Sequence, residues 1–201
     1  DEDGRVVAFL EKTMDPPTDQ INAGCYVFRK EIINTIPAGR VVSVERETFP
    51  RLLEEGLRVY GHVDHAYWRD MGTPKDFVHG SSDLVRGIAP SPLLAGQVGE
   101  KWPAPNAGVK RGEILLGGTA VGRGTGMGSS CRLDRTGLSE GATIEPGAII
   151  EDSIIASGAH IGANARIKDC VIGEGAQIGA RCELKGGLRV WPGVVLPDGG
   201  I

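Results

Sequence analysis

From Thr119 to Leu196 an aliphatic residue returns every six positions, with an occasional step of five. Val121, Met127, Leu133, Leu138, Ile144, Ile150, Ile155, Ile161, Ile167, Ile172, Ile178, Leu184, Val190 and Leu196 mark the period. Six, six and five sum to a repeat of seventeen, so Val121, Leu138, Ile155 and Ile172 fall in one column, with parallel columns starting at Met127 and Leu133. A second register runs two positions earlier and holds small residues: Thr119, Thr125, Cys131, Thr136, Ala142, Ala148, Ser153, Ala159, Ala165, Cys170, Ala176 and Cys182. Residues two apart point to the same side of a strand, while the intervening Gly, Asp, Asn and Glu suit turns. The pattern predicts a coil of short parallel strands, three to a turn, with the aliphatic columns stacked inside and successive turns about 4.8 Å apart.

The pattern before residue 88 is different. Arg5 to Lys12 reads as a β-rich run opening in the middle of a domain, and Ile21 to Phe28 as a strand buried on both faces. Leu57 to Val63 and Ala66 to Asp70 are further strand candidates. Lys30 to Ile36 predicts a short helix ended by Pro37 and Gly39. A second helix is expected from an N-cap at Ser43 to Glu55, kinked or delayed by Pro50 and closed by Gly56. A third should start at Thr73, with Pro74 at its first position and Asp76 at its third, and run to about Arg86. Pro90, Pro92, Pro103 and Pro105 mark a connection, with Trp102 packing it onto a neighbour. The expected organisation is an α/β domain over 1–87, a proline-rich linker over 88–111 and the coil over 112–201.

Composition adds four points. The 31 glycines concentrate in the repeat, where turns need positive φ, so they do not signal disorder. A net charge of −4 without a Lys/Arg run argues against nucleic acid or an anionic membrane as partner. No run of eighteen apolar residues and no signal-peptide pattern occurs, so a cytoplasmic protein is expected. Cys131, Cys170 and Cys182 sit in the small inward register and Cys25 in an apolar run; without CxxC spacing they read as reduced, structural thiols.

The hexad period resembles the hexapeptide-repeat family, and that resemblance implies a left-handed parallel β-helix, against the usual crossover preference. Four further pieces carry a second resemblance: Phe9-Leu10-Glu11-Lys12, Ile21-Asn22-Ala23-Gly24, the stretch from Ser43 to Pro50, and Trp68-Arg69-Asp70-Met71-Gly72-Thr73-Pro74. In this order, followed by the hexapeptide coil, they resemble the second half of a sugar-nucleotide pyrophosphorylase of the mannose-1-phosphate guanylyltransferase subgroup. The resemblance implies a partial nucleotidyltransferase (Rossmann-like) domain ahead of the β-helix. It implies a reaction in which a sugar 1-phosphate attacks a nucleoside triphosphate with release of pyrophosphate, the subgroup pointing to GDP-mannose as the product. Mg²⁺ is the implied cofactor, with Asp70 as a ligand. Glu11 would accept from sugar hydroxyls and Lys12 meet the sugar phosphate, while Asn22 bonds a hydroxyl and Gly24 permits close backbone approach.

One element of that family does not occur. No GxGxR-like loop precedes the coil, and Gly122 to Gly128, although glycine-rich, falls within the hexad register, where turns explain it. The chain is therefore expected to be the C-terminal part of a longer enzyme and inactive alone. Two other readings stand beside this one. His160 could serve a hexapeptide acyltransferase as general base. Alternatively the chain is a non-catalytic assembly or regulatory subunit. On either the enzyme or the assembly reading the β-helix is expected to mediate homo-oligomerisation.

Overall fold

The computed structural model describes residues 1–9, 14–15, 18, 20–94, 96, 98–109 and 112–200. Two compact units divide it, Asp1–Ala66 and Tyr67–Ile201.

In the first unit, aromatic side chains gather on Phe49. Phe9 stacks on it at 4.9 Å between ring centroids, Phe28 at 5.7 Å, and Tyr26 meets it edge-on at 5.1 Å. Phe49 and Leu52 are buried. Helix α1 spans Lys30–Asn34. The segment after Ser43 begins as a π-helical turn, Val44–Thr48, and becomes the α-helix α2, Phe49–Glu54. Ser43 caps it, its hydroxyl accepting from the Arg46 N–H at 3.1 Å. Pro50 sets the change of register because it has no N–H to continue the ladder of the preceding turn. Gly56, at φ 72°, closes the segment.

Over their described residues, the strands expected in this unit are extended but almost unpaired; Leu10 to Lys12 of the first lie outside the described residues. Among the described residues the pairing is one antiparallel bridge, Arg5 to Tyr60, with N–H···O bonds from Val6 to Val59 and from Gly61 to Gly4. Ile21 to Phe28 forms no ladder, and Val27 is 98% exposed. An apolar run becomes a strand only where a second backbone answers its N–H and C=O groups, and hydrophobicity does not supply that partner.

The second unit is a parallel β-helix with three sheets. One face stacks Lys101–Pro103, Thr119–Val121, Gly137–Leu138, Ile154–Ile155, Val171–Ile172 and Arg189–Val190. The second runs from Gly126–Met127 to Val195–Leu196, and the third from Ile114–Leu116 to Glu183–Leu184. Every pairing is parallel, with Val121 beside Leu138, Ile144 beside Ile161 and Leu133 beside Ile150. The architecture is consistent with the left-handed form. Every aliphatic residue of the period from Val121 to Val190 is buried, as is the whole small register, and Ile161 is completely enclosed. The hydroxyls in that register answer carbonyls at their own corner: Thr119 bonds Leu116, Thr136 bonds Asp134 and Ser153 bonds Glu151.

Three features depart from the regular spacing, the first being an eighteen-residue opening coil in which Leu115 pairs with Leu133. The last coil has eighteen residues, since Ile172 pairs with Val190 and Ile178 with Leu196. The extra residue is taken up at Gly186 and Gly187, both at positive φ. The first face also starts inside the proline-rich stretch, where Trp102 lies in register with Ala120. Pro103 is tolerated there because Lys101–Pro103 is an edge strand.

Helix α3, Pro74–Val85, packs on this solenoid within the same unit. Thr73 caps it by accepting from the Asp76 N–H at 3.1 Å, and the Asp76 carboxylate accepts from the Thr73 hydroxyl at 2.6 Å. Ser82 donates to the Gly117 carbonyl at 2.5 Å. A Cβ on Gly118 would stand 2.6 Å from the Ser82 carbonyl oxygen, so helix and coil meet backbone to backbone.

Candidate functional site

Asn22 and Gly24 come together in the first unit. The Gly24 N–H donates to Asn22 Oδ1 at 3.0 Å, a local turn in which Gly24 has φ 74°. A Cβ on Gly24 would meet nothing within 4 Å, so within this chain the glycine is required by its φ and not by close packing. Asn22 Nδ2 lies 2.5 Å from Glu45 Oε1 and 2.5 Å from Tyr26 Oη, and the Tyr26 hydroxyl donates to the same Glu45 oxygen at 3.2 Å. The aromatic contacts of Tyr26 with Phe49 and Phe28 hold its ring, and the capped π-turn places Glu45 four residues ahead of Phe49. Sequence reasoning placed Glu45 within the helix expected after Ser43, gave it no role of its own, and did not single out Tyr26. Nothing in a separation of twenty-three residues signals that Asn22 and Glu45 meet. Glu11 and Lys12 lie outside the described residues.

Asp70 belongs to the second unit, where it ends an extended segment and is exposed. Its neighbours are tied to α3. Met71 covers Gly80, where a Cβ would collide with the Met71 methyl. Arg69 donates to Tyr67 Oη at 3.1 Å and to Asp83 at 3.2 Å, and approaches Asp76 at 3.7 Å, while Tyr67 donates to Asp83 at 2.7 Å. Burial, and then the hydrogen bond to Asp83, raise the Tyr67 hydroxyl above its ordinary pKa, so it stays a donor. The Arg69 guanidinium is raised as well, first by its bond to Tyr67. The backbone on the N-terminal side of Asp70 is thereby held, while its carboxylate stays in water. A Cβ on Gly72 would sit 3.4 Å from Asp70 Oδ2, so the glycine leaves the carboxylate uncovered.

Residues 98–198 match the GMPPB C-terminal domain and residues 1–87 the nucleotidyl transferase family. The chain belongs to the nucleotidyl transferases that carry a GMPPB C-terminal domain. It is 65% identical over 202 aligned residues to the mannose-1-phosphate guanylyltransferase of Mycobacterium tuberculosis, covering 100% of this chain and 56% of that protein. It is 32% identical to mannose-1-phosphate guanylyltransferase 1 of Arabidopsis thaliana, over 76% of this chain and 43% of that one. The catalytic subunit beta of the Danio rerio enzyme is 38% identical over 46% of this chain and 26% of its own length. The chain thus spans about half the length of the curated relatives it matches.

Nucleotidyl transferases generally use a divalent metal. Among the described residues no group of three or more His, Cys, Asp and Glu could enclose one. A family member needs no such cage, since Mg²⁺ is commonly held by one or two carboxylates with phosphate oxygens and water. The exposed, uncovered Asp70 carboxylate fits one position of that set. Elsewhere in this chain the glycine-rich stretch is structural. Cβ atoms on Gly122 and Gly128 would collide with the next coil, at 2.8 Å from Glu140 N and 2.4 Å from Pro146 N, so that glycine-rich stretch serves coil stacking. His160 lines a groove of about 320 Å³ with Met127 and Pro146. Its Nδ1 lies 2.9 Å from Thr143 Oγ1 and its Nε2 3.7 Å from Glu145 Oε1. No described helix is long and apolar enough to cross a membrane.

Proposed function

We propose that the chain is the sugar-phosphate side of an enzyme that makes GDP-mannose and pyrophosphate from mannose 1-phosphate and GTP. The observation that carries this is the 65% identity, end to end along the chain, with a mannose-1-phosphate guanylyltransferase. In the reaction an oxygen of the sugar phosphate attacks the α-phosphorus of the triphosphate in line. The new P–O bond forms as the bond between the α-phosphorus and the bridging oxygen breaks, and pyrophosphate leaves with that oxygen.

Asn22 and its turn with Gly24 take the sugar, with Glu11 accepting from its hydroxyls and Lys12 facing its phosphate. Mg²⁺, with Asp70 as one ligand, supplies neutralisation of the charge on the phosphates when bound. The Arg69–Tyr67–Asp83 network holds the segment that presents Asp70. The protein acts in the cytoplasm, and the β-helix joins copies of the chain into a homo-oligomer.

The test is pyrophosphate release by the full-length protein with mannose 1-phosphate and GTP, against glucose 1-phosphate and the other nucleoside triphosphates. Preference for the first pair is expected; turnover of none of them, or preference for another pair, overturns the reading. Asp70→Asn should lower turnover by about 100-fold or more over a magnesium titration, with an unchanged melting temperature. Near-normal turnover would assign Asp70 to the turn before Gly72.

A further inference from the structure

An amide side chain has two N–H donors and one oxygen with two lone pairs. In Asn22 both donors are committed, one to Glu45 Oε1 and one to Tyr26 Oη, and one lone pair is committed to the Gly24 N–H. The orientation of the amide follows from the partners. Turned over, Oδ1 would face the Glu45 carboxylate and Nδ2 would face the Gly24 N–H, an acceptor against an acceptor and a donor against a donor. Tyr26 adds no freedom, because its own hydrogen goes to Glu45. Glu45 is thus the acceptor on which the whole triangle closes. It is partly buried, in a turn capped by Ser43 and followed by the buried Phe49.

We infer that Glu45 is a positioning residue that holds the Asn22 amide in one orientation, so that Asn22 meets the sugar only as a hydrogen-bond acceptor, through the remaining lone pair of Oδ1. This rests on the reading that Asn22 faces the sugar of a sugar 1-phosphate. The consequence is a rule of selection. A sugar hydroxyl at that position is read by its hydrogen, so a group of similar size that accepts without donating, such as fluorine, is refused as firmly as no group at all. An unrestrained amide would accept either kind, by turning its N–H toward the fluorine.

The test uses the full-length protein and steady-state kinetics of pyrophosphate release with mannose 1-phosphate, and with deoxy and deoxyfluoro analogues at each ring hydroxyl in turn. In the wild type one position should show equal losses for the deoxy and fluoro compounds, about 10-fold in the KM for the sugar phosphate. Glu45→Ala should raise that KM for mannose 1-phosphate by a similar factor, leave the KM for GTP unchanged, and make the fluoro compound better than the deoxy one. Glu45→Gln keeps an acceptor oxygen and should recover most of the loss. Asn22→Asp sets two carboxylates together and should be worse than Glu45→Ala. Asn22→Asp combined with Glu45→Gln moves the donor to residue 45 and should recover part of the activity.

An unchanged sugar KM and unchanged analogue ratio in Glu45→Ala would overturn the inference. So would losses shared equally between sugar and GTP with Glu45→Gln no better than Glu45→Ala, since that marks a role in stability alone. A wild type inactive with every sugar phosphate defeats the functional reading instead. The amide lock is then still decided by side-chain NMR of asparagine-labelled protein. The two Nδ2 protons of Asn22 should be well resolved and shifted downfield in the wild type and draw together in Glu45→Ala. Identical spectra would show that Glu45 does not hold the amide.

Discussion

The two units of this chain treat the same kind of residue in opposite ways. Ile161 in the solenoid is completely buried, while Val27, in an equally apolar run of the first unit, is 98% exposed. The solenoid strand finds its partners one coil away on either side, at His160–Thr143 and His160–Gln177, so a repeating sequence carries its own pairing. The run from Ile21 to Phe28 has no repeat to pair with. Its aromatic side chains are held by Phe49, but its backbone is left extended. Burial thus follows from a neighbouring backbone in register, and hydrophobicity alone does not produce it.

The widest contrast should come from one substitution made in both regions. Ile161→Asp places a carboxylate in a dry column and should cost several kcal/mol, whereas Val27→Asp should stay within about 0.5 kcal/mol. All three tryptophans lie beyond residue 66, so tryptophan fluorescence during denaturation reports on the solenoid unit. A wild-type transition for Ile161→Asp would contradict the inward register.

Glycines should divide in the same way but by less. Gly128→Ala drives a Cβ to 2.4 Å from the Pro146 nitrogen and should destabilise the coil by about 2 kcal/mol or more, because backbone must shift. Gly24→Ala meets no atom, so only the cost of a positive φ remains, about 1 kcal/mol. Equal effects in the two thermal unfolding curves would remove the distinction between stacking and turn glycines.

Helix caps should erase the contrast, since a cap acts within one turn. Thr73→Ala and Ser43→Ala each remove a hydroxyl that accepts a backbone N–H, and each should cost about 1 kcal/mol in its own region. A cost confined to Thr73→Ala would mean that the π-turn after Ser43 is held by the aromatic cluster and not by its cap.

The smallest expected effect is a dependence on alkaline pH. Burial raises the Cys131 and Cys170 thiols above their ordinary pKa. Their folded pKa exceeds the unfolded one, so the contribution is fully present below the unfolded thiol pKa and fades as pH rises through the window above it. Chemical denaturation from pH 7 to 10 should show a modest fall, reduced in Cys131→Ala with Cys170→Ala. In native protein an alkylating reagent should modify the exposed Cys25 first and reach the solenoid cysteines only on unfolding.

Much of the local structure was legible from residue order. Thr73-Pro74 and Gly87 bound a helix in any context, because caps and breakers act through the adjacent backbone, and Pro50 announced the change of register inside the segment after Ser43. The hexad period likewise specified the three columns and all their inward residues, since each coil needs only the next one. The chain also showed Asn22, Gly24 and Asp70 as residues worth following, through their motifs.

Tertiary structure decided the rest. It put α3 with the solenoid, where the Ser82 hydroxyl and the bare backbone of Gly118 allow close contact, although the sequence families divide later, between residues 87 and 98. It absorbed the extra residue of the last coil at two glycines. It also gave Asn22 its partners: Glu45 and Tyr26 reach the amide because Phe49 draws their segments together, and a contact made by side-chain packing across twenty-three residues leaves no periodic trace in the chain.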